Sequence, residues 1–570
     1  LGSCTVIASD KTGTLTENQM TVRALDVGGR KLAVTGGGLD SSGAFEDEGQ
    51  AVDPEDGSAL STLLLAGALC NEAHVRWPEG ATGKSSAQGD PTEVALLVAA
   101  AKAGLQRDAL ITRYPQVDQV PFEPDRKFAA SIHREVGAQE KIVFVKGAPE
   151  RVAEMCDREA GDEGTSPFDR LEVARRTDVL AAQGLRVLAV AVGRGDQAAQ
   201  SVHGEFPLGF CFLGLVGMLD PPRERVREAV EACRSAGIEV KMVTGDHAGT
   251  AAAVAAMIGL APADAPVIHG NELAGLSDVE LRETLEQSAV FARVSPADKL
   301  RIVRSLREAG EVVAVTGDGV NDAPALKAAH VGAAMGRNGT DVAKEASEIV
   351  VADDHFETIA AAVEEGRVAF SNIRKATVFL LSSGFAELLS ILGSVVLGLR
   401  LPFLPAQILW LNVVTNGLED VALAMEPGEP DEFRRRPRNP REGIVTPLLI
   451  ERMAIAGFVM AAGTLGVFLL EGGAHEASLP YAQVAALTTM VVFQVLHVGN
   501  CRSQRHSAFG LSPFSNRFLL FGVGASLILH VAAMYWGPTQ RLLHLEPLDL
   551  ETWARIVMVA GSILVAVELH

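Results

Sequence analysis

Apolar and polar positions fall into two regimes along the chain. As far as about residue 370 the apolar residues come in short runs among charged ones. From Ala376 onward they come in long runs, each near the roughly 20 residues that a bilayer-crossing helix needs. Six spans are predicted, at about 376–398, 404–424, 452–470, 481–499, 518–536 and 553–569. The loop after the second reads FRRRPRNPR (433–441) and the one after the fourth CRSQRHS (501–507), whereas the alternate loops hold few Lys or Arg. Basic loops stay in the cytoplasm, which places the polar region and the C-terminus on that side.

Ahead of the spans, helical periodicity alternates with short β-branched runs, the pattern of a parallel sheet covered by helices. RERVREAVEACRSAG leads into IEVKMVTGD (238–246), DKLRIVRSLREAG into EVVAVTGDG (311–319), NDAPALKAA into HVGAAMG (330–336), and DVAKEAS into EIVVADD (348–354). CTVIAS (4–9) is one more apolar strand, but residues 24–208 break the alternation with Gly-rich loops. The predicted fold is therefore a doubly wound α/β domain (1–23 and 209–370) interrupted by an inserted α+β domain (24–208), followed by an all-α bundle of six transmembrane helices (371–570). Ligands of such sheets bind beyond the carboxyl ends of the strands. Three of those ends carry acids and hydroxyls: SDKTGT (9–14), TGD (244–246) and TGDGVND (316–322).

Composition agrees with a membrane part, at 48% hydrophobic residues and a mean hydropathy of +0.20. A net charge of −21 without a basic stripe excludes nucleic acid as a partner. Six cysteines without paired spacing indicate neither a disulfide framework nor a zinc ribbon. Residue 1 is Leu and no signal-like segment follows it, so the chain is expected to be a piece of a longer one.

An Asp at a strand end can be a nucleophile, forming an aspartyl phosphate. Attack on the γ-phosphate of ATP needs Mg²⁺ to neutralise the anions, and Mg²⁺ takes one or two carboxylates plus phosphate oxygens. Asp10, flanked by Lys11, is the expected nucleophile, and Asp10 with Asp318 supplies the carboxylates. Lys299 can hold the transferred phosphoryl group as a point charge, and Thr244 with its Gly245 turn can donate hydrogen bonds to it. Asn321 and Asp322 are expected to tighten the third loop. ATGKSS (81–86) contains GKS, but a P-loop requires Gly where this chain has Pro78, so it is read as a surface loop.

DKTGTLT, KGAPE (146–150), DPPR (220–223), TGD and TGDGVNDAPAL together resemble the P-type ion-motive ATPases, whose phosphorylation domain is of the haloacid-dehalogenase class. The resemblance runs along the whole chain. It implies that ATP phosphorylates Asp10, with Mg²⁺ held by Asp10, the Thr12 carbonyl and Asp318. Thr12 stands where phosphatases of the class have an acid/base Asp; Thr cannot do that proton work, so the phosphoenzyme is expected to persist. The insertion then reads as the nucleotide-binding domain. Lys146 and Gly147 are expected beside the adenosine, Phe122 stacked on adenine, and Glu93 and Arg186 as further contacts. Pro124 replaces an Arg of related calcium pumps, a role left to Arg126 or Lys127. Asp246 and Arg293 complete the expected ATP contacts by the same resemblance.

Glu387 lies midway along the first span, where an ionisable group marks an ion path by default. In the second span Asn412, Thr415, Asn416 and Glu419 fall at i, i+3, i+4 and i+7, one helical stripe, with Asp420 beside it. Oxygen ligands facing a carboxylate suit a hard cation. Six helices, KGAPE and the basic loop resemble type II pumps, and Glu387, Asn412 and Thr415 match coordinating positions of the calcium pumps. Gly384 replaces an Asn of those pumps, Asn416 an Asp and Gln494 a Glu, so Glu419 or Asp420 is left to compensate for the lost charge. Ca²⁺ is the expected substrate, with a single ion, Na⁺, K⁺, Mn²⁺ or H⁺ as alternatives.

Pumps of this kind also have an actuator domain with a TGE loop and four earlier transmembrane helices, which do not occur in this sequence. The chain alone is expected to bind ATP and phosphorylate Asp10 without completing transport. Two competing readings are a truncated ATP-binding regulatory protein and a phospholipid flippase, the latter disfavoured by KGAPE and the polar stripe. The expected location is multi-pass in the plasma membrane of a prokaryote, with the phosphorylation and nucleotide domains cytoplasmic.

Overall fold

The computed structural model describes every residue except 78–84, 162–163, 205–206, 430, 440–441 and 570. Pro78 and most of the ATGKSS loop thus lie outside the described residues. The chain divides into two compact units, Cys4–Ala360 and a second made of Leu1–Ser3 with Ala361–His570.

The first unit contains a parallel sheet of β1 (Val6–Ser9), β2 (Glu239–Val243), β3 (Ile268–His269), β4 (Val290–Ala292), β5 (Val313–Gly317), β6 (Val331–Met335) and β7 (Ile349–Val351), in the order β3-β4-β2-β1-β5-β6-β7. β1 is central and buried at all four positions, which is why VIAS reads as a continuous apolar run instead of an alternating one. Its register sets the chemistry. Ser9 lies opposite Met242 on one side and Thr316 on the other, so Asp10, Thr244 and Asp318 all leave the sheet at the same edge. The short β3 and β4 are absent from the sequence pattern; two or three residues are too few to show a period.

An antiparallel sheet interrupts the parallel one. Its path runs through Gln50–Val52, Phe45–Asp47, Arg30–Val34, Thr21–Val27, Phe210–Leu219, Arg186–Arg194, Lys141–Gly147, Phe128–Arg134 and Gln116–Val120. Helices Ala59–Leu69 and Pro91–Lys102 cover one face and share its apolar core. Phe210–Leu219 pairs antiparallel with Thr21–Val27, so this sheet reaches beyond the stretch 24–208 at both ends. The strand is buried at all ten positions, and an unbroken apolar run cannot say which sheet will own it.

The second unit is a helix bundle: α1 (Phe356–Val396), α2 (Pro405–Leu411, Asn412–Asn416 and Gly417–Ala424), α3 (Pro447–Leu470), α4 (Leu479–Cys501), α5 (Arg517–Tyr535) and α6 (Leu550–Glu568). Among the described residues five helices are long and apolar enough to cross a membrane, not six. The difference is α2, where the predicted second span is broken into three pieces. Its middle piece is a π turn, with the Gly417 N–H reaching the Asn412 carbonyl five residues back. α4 is the hub, 78% buried across its most apolar window against 22 to 44% for the other four long helices.

A buried ion triad ties the insertion together. Arg176 donates to Asp26 at 2.6 Å and to Glu159 at 2.7 Å, and Asp26 is wholly inaccessible. Removing one partner of a buried pair strands the other charge. Arg176→Met is therefore expected to cost about 3 kcal/mol, measured as a lower urea midpoint for the fluorescence of Trp77, the only tryptophan before residue 410.

Candidate active site

The turn after β1 is built around Gly13. Its φ of +71° is in the left-handed region, and a Cβ there would overlap the Asp318 carboxylate. DKTGT can therefore close on the third strand end only with Gly at that position. Asp10 donates its own N–H to the Thr316 carbonyl at 3.0 Å, and its Oδ1 accepts from the Lys11 N–H at 2.7 Å.

Lys299 comes from helix Pro296–Glu308, which starts with Ser295 as N-cap, Asp298 closing the capping box and Pro296 in the first turn. Four residues past the cap, its Nζ enters the site and donates to Asp10 Oδ2 at 2.8 Å and to Asp322 Oδ1 at 2.7 Å. The other Asp322 oxygen accepts from the Gly319 N–H at 3.1 Å. Ligand atoms of Asp10, Asp318 and Asp322 all lie within 4.8 Å of one another. Burial pushes the Asp10 carboxyl up to about 7; Lys299 opposes this, and the Asp322 charge adds to it. Asp318 is raised to about 6 by burial and by Asp322. Lys299 is held above its usual range because its two carboxylates outweigh the effect of burial.

One ammonium among three crowded carboxylates leaves the cluster short of positive charge. Asp10 and Asp318 offer hard oxygens from adjacent strand ends and are held toward their neutral forms, the condition that a divalent cation relieves. The donor set fits Mg²⁺.

The remaining predicted residues divide. Thr244 is buried, and its Oγ1 accepts from the Asp246 N–H at 3.2 Å; the Asp246 carbonyl accepts from the Arg293 N–H at 2.9 Å, with Arg293 in the left-handed region. Lys11 does not turn to Asp10 but pairs with Asp246 at 2.5 Å, with Asp220 3.8 Å away. Gly245 and Asn321 are exposed. Two residues of DPPR have roles that the motif alone does not disclose. Asp220 accepts from the Thr16 hydroxyl and the Gln19 N–H, and Arg223 donates to the Gly13 carbonyl at 2.8 Å. Together they clamp the turn that follows Asp10.

The insertion carries a cavity of about 930 Å³, the right scale for a nucleotide. Glu93, Phe122, Lys127, Lys146, Gly147 and Arg186 all line it. Phe122 is 62% exposed and so is available for stacking instead of filling a core. Lys146 Nζ pairs with Glu93 Oε1 at 2.5 Å. A Cβ on Gly147 would strike the Lys127 carbonyl, so close passage of these strands requires Gly. Arg126 pairs with Glu123 and is not among the residues that line the cavity, whereas Lys127 is. A second cavity of about 730 Å³ is lined by Lys11, Asp220 and Asp246 on one side and by Arg186 on the other. Arg186 therefore borders both.

In the bundle, Gln494 donates to Glu387 Oε1 at 3.1 Å, and the Thr415 hydroxyl stands against the Gln494 carbonyl oxygen. Asn412 is not brought to this group. It is exposed, donates to the Ile408 carbonyl at 3.1 Å and accepts from Asn416 at 2.8 Å, because the π turn shifts the stripe that an uninterrupted helix would keep in line. Asn416 and Glu419 are buried and Asp420 is half-buried.

Residues 59–225 match the family described as "P-type ATPase, cytoplasmic domain N", and residues 400–570 that described as "Cation transporting ATPase, C-terminus". The chain is 42% identical over 583 residues to "Probable cation-transporting ATPase F" of Mycobacterium tuberculosis, covering 100% of this chain and 63% of that protein. It is 39% identical over 576 residues to "Calcium-transporting ATPase" of Bacillus subtilis (99% and 64%), and 35% over 575 residues to "Calcium-transporting ATPase type 2C member 1" of Homo sapiens (100% and 60%). The chain thus spans 60 to 64% of the length of these relatives. A parallel sheet whose strand ends gather DKTGT and TGDGVND, an inserted nucleotide-sized cavity and a multi-pass helix bundle agree with these matches, and the chain belongs to the P-type cation-transporting ATPases.

Proposed function

We propose that this chain uses ATP to phosphorylate Asp10 and that the phosphorylation drives a cation, Ca²⁺, through the helix bundle. The observation that carries the reading is the Lys299 bridge between Asp10 and Asp322 at the edge where three strands end. On this reading residues 1–23 and 209–370 perform the phosphoryl transfer, 24–208 hold the nucleotide, and 371–570 carry the ion.

A deprotonated Asp10 oxygen attacks the γ-phosphorus; the new Asp10 O–P bond forms as the P–O bond to ADP breaks, and ADP leaves with the electron pair. Lys299 stabilises charge on the transferred group, and the Lys11–Asp246 pair keeps the TGD turn closed against the same edge. Mg²⁺, held by Asp10, Asp318 and the Thr12 carbonyl, would neutralise phosphate charge. Thr12 offers no carboxylate to activate water, so the acyl phosphate persists long enough to act on the membrane part. Arg186, on the border of both cavities, connects nucleotide occupancy with the phosphorylation edge.

Glu387, Thr415, Asn416, Asp420 and Gln494 are the proposed ligands of the transported cation, while the exposed Asn412 leaves that set. One observation supports a different cation: Gln494 and Asn416 are neutral, and Glu387 meets an amide backed by a hydroxyl instead of a second carboxylate, which suits Na⁺ or a single Mn²⁺ as well as Ca²⁺.

Asp10→Asn is expected to abolish the acid-stable phosphoenzyme formed from labelled ATP; a retained signal would remove the central assignment. Lys146→Ala is expected to weaken ATP binding about tenfold, or about 1.4 kcal/mol, in calorimetric titration while sparing phosphorylation at saturating ATP. Arg186→Ala should reduce both. The raised Asp10 carboxyl also has a consequence for stability. A carboxylate whose folded value lies above its unfolded one destabilises the fold as pH rises past the unfolded value, and does so fully above about 7. Without divalent cation, Asp10→Asn should therefore raise the melting temperature at pH 8 but not at pH 3, and added Mg²⁺ should narrow the gap in differential scanning calorimetry.

A further inference from the structure

One helical turn from the Glu387–Gln494 contact, toward the basic loops, the bundle buries oxygen atoms that nothing in the chain satisfies. The layers on either side fix their place. On one side is the contact of Glu387 on α1, Thr415 on α2 and Gln494 on α4. On the other, Phe379 of α1, Ala422 and Leu423 of α2, and Val498 and Cys501 of α4 form an apolar plug, with Phe379 stacked on His497. Spacing of four residues along a helix puts Ser383 between Phe379 and Glu387, and Glu419 between Thr415 and Leu423. The same spacing puts both residues in the layer between.

Ser383 and Glu419 have no accessible surface, and Asn416 keeps 7%. Both Glu419 carboxylate oxygens, Ser383 Oγ and Asn416 Oδ1 lack a hydrogen-bond partner. Ser526 of α5 stands beside Glu419, but its hydroxyl proton goes to the Val414 carbonyl at 2.6 Å, and a hydroxyl has only one to give. A buried carboxylate with no donor is among the most expensive arrangements a protein can hold, unless a cation completes it. The π turn that moves Asn412 outward leaves Asn416 and Glu419, three residues apart, on one inward face. Carboxylate, amide and hydroxyl oxygens together are a donor set for a hard divalent cation.

We propose that Glu419, with Asn416 and Ser383, holds a second cation one turn away from the one assigned to Glu387. The proposal rests on the pump reading, but it adds a site with its own carboxylate. It also locates the negative charge that Asn416 and Gln494 do not supply.

Equilibrium binding of radioactive Ca²⁺, and separately Mn²⁺, to the purified full chain in detergent without ATP tests it. Two ions per chain are expected for the unaltered protein with at least one of these cations. Glu419→Gln should retain only the ion at Glu387, and Glu387→Gln only the ion at Glu419. Ser383→Ala, a milder change, should weaken one of the two ions about tenfold while ATP still binds. A single ion that Glu387→Gln removes and Glu419→Gln does not would overturn the second site and leave the pump reading standing. Unchanged affinity in Ser383→Ala would overturn it even if Glu419→Gln failed to fold. No binding of either cation by the unaltered chain, with phosphoenzyme formed equally in their presence and absence, would sink both readings.

Discussion

Three carboxylates share one ammonium at the end of the parallel sheet, and much of the first unit is arranged to make that possible. Burial, with the charge of Asp322 beside them, pushes the Asp10 and Asp318 carboxyls toward their neutral forms. Lys299 holds two of the three carboxylates, and it can do so because a fully capped helix start delivers it at a fixed height above β1. The turn after Asp10 can approach only because Gly13 has no side chain, and it is kept closed by Asp220 and Arg223 from a distant part of the chain. The result is a site poised for added positive charge and for phosphate.

The cavity of the insertion shows the same economy on a gentler scale. Lys146 and Glu93 neutralise each other across the cavity wall, while Phe122 stays exposed on its rim. Arg186 begins a strand of the insertion and lines both cavities, the larger one and the one beside Lys11 and Asp246. In the bundle the corresponding tension is between burial and unsatisfied oxygen. α4 contributes Gln494 as a neutral bridge, and α2 gives up regular helix for a π turn at the level where polar side chains gather. Irregular backbone inside a membrane helix is tolerated where protein surrounds it.

The strand ends were legible from residues alone, because a buried parallel strand that stops at Asp-Lys-Thr-Gly or at Thr-Gly-Asp delivers its polar groups to the edge where such sheets bind ligands. Lys299 was legible from its charge at a helix start, and Lys146 and Phe122 from the motifs around them. Asp220 and Arg223 were visible as DPPR, yet their role was not, since it consists of contacts to residues some two hundred positions earlier. Lys11 was legible only as a charge flanking Asp10, and its partner is Asp246. Adjacent residues on an extended segment point to opposite sides, so nearness in sequence does not disclose a partner there.

By itself the sequence determined the order of elements, the split parallel sheet, the apolar spans and the polar loops at the sheet's carboxyl edge, because these follow from periodicity, turn chemistry and side-chain type. Only the tertiary structure decided which sheet owns Phe210–Leu219 and that α2 is broken by a π turn. It also decided that Asn412 faces outward while Ser383 and Glu419 are buried with unpartnered oxygens. Those outcomes depend on register and on which helix faces another. A single extra residue in one turn rotates every later side chain, and nothing in the local sequence marks where it falls.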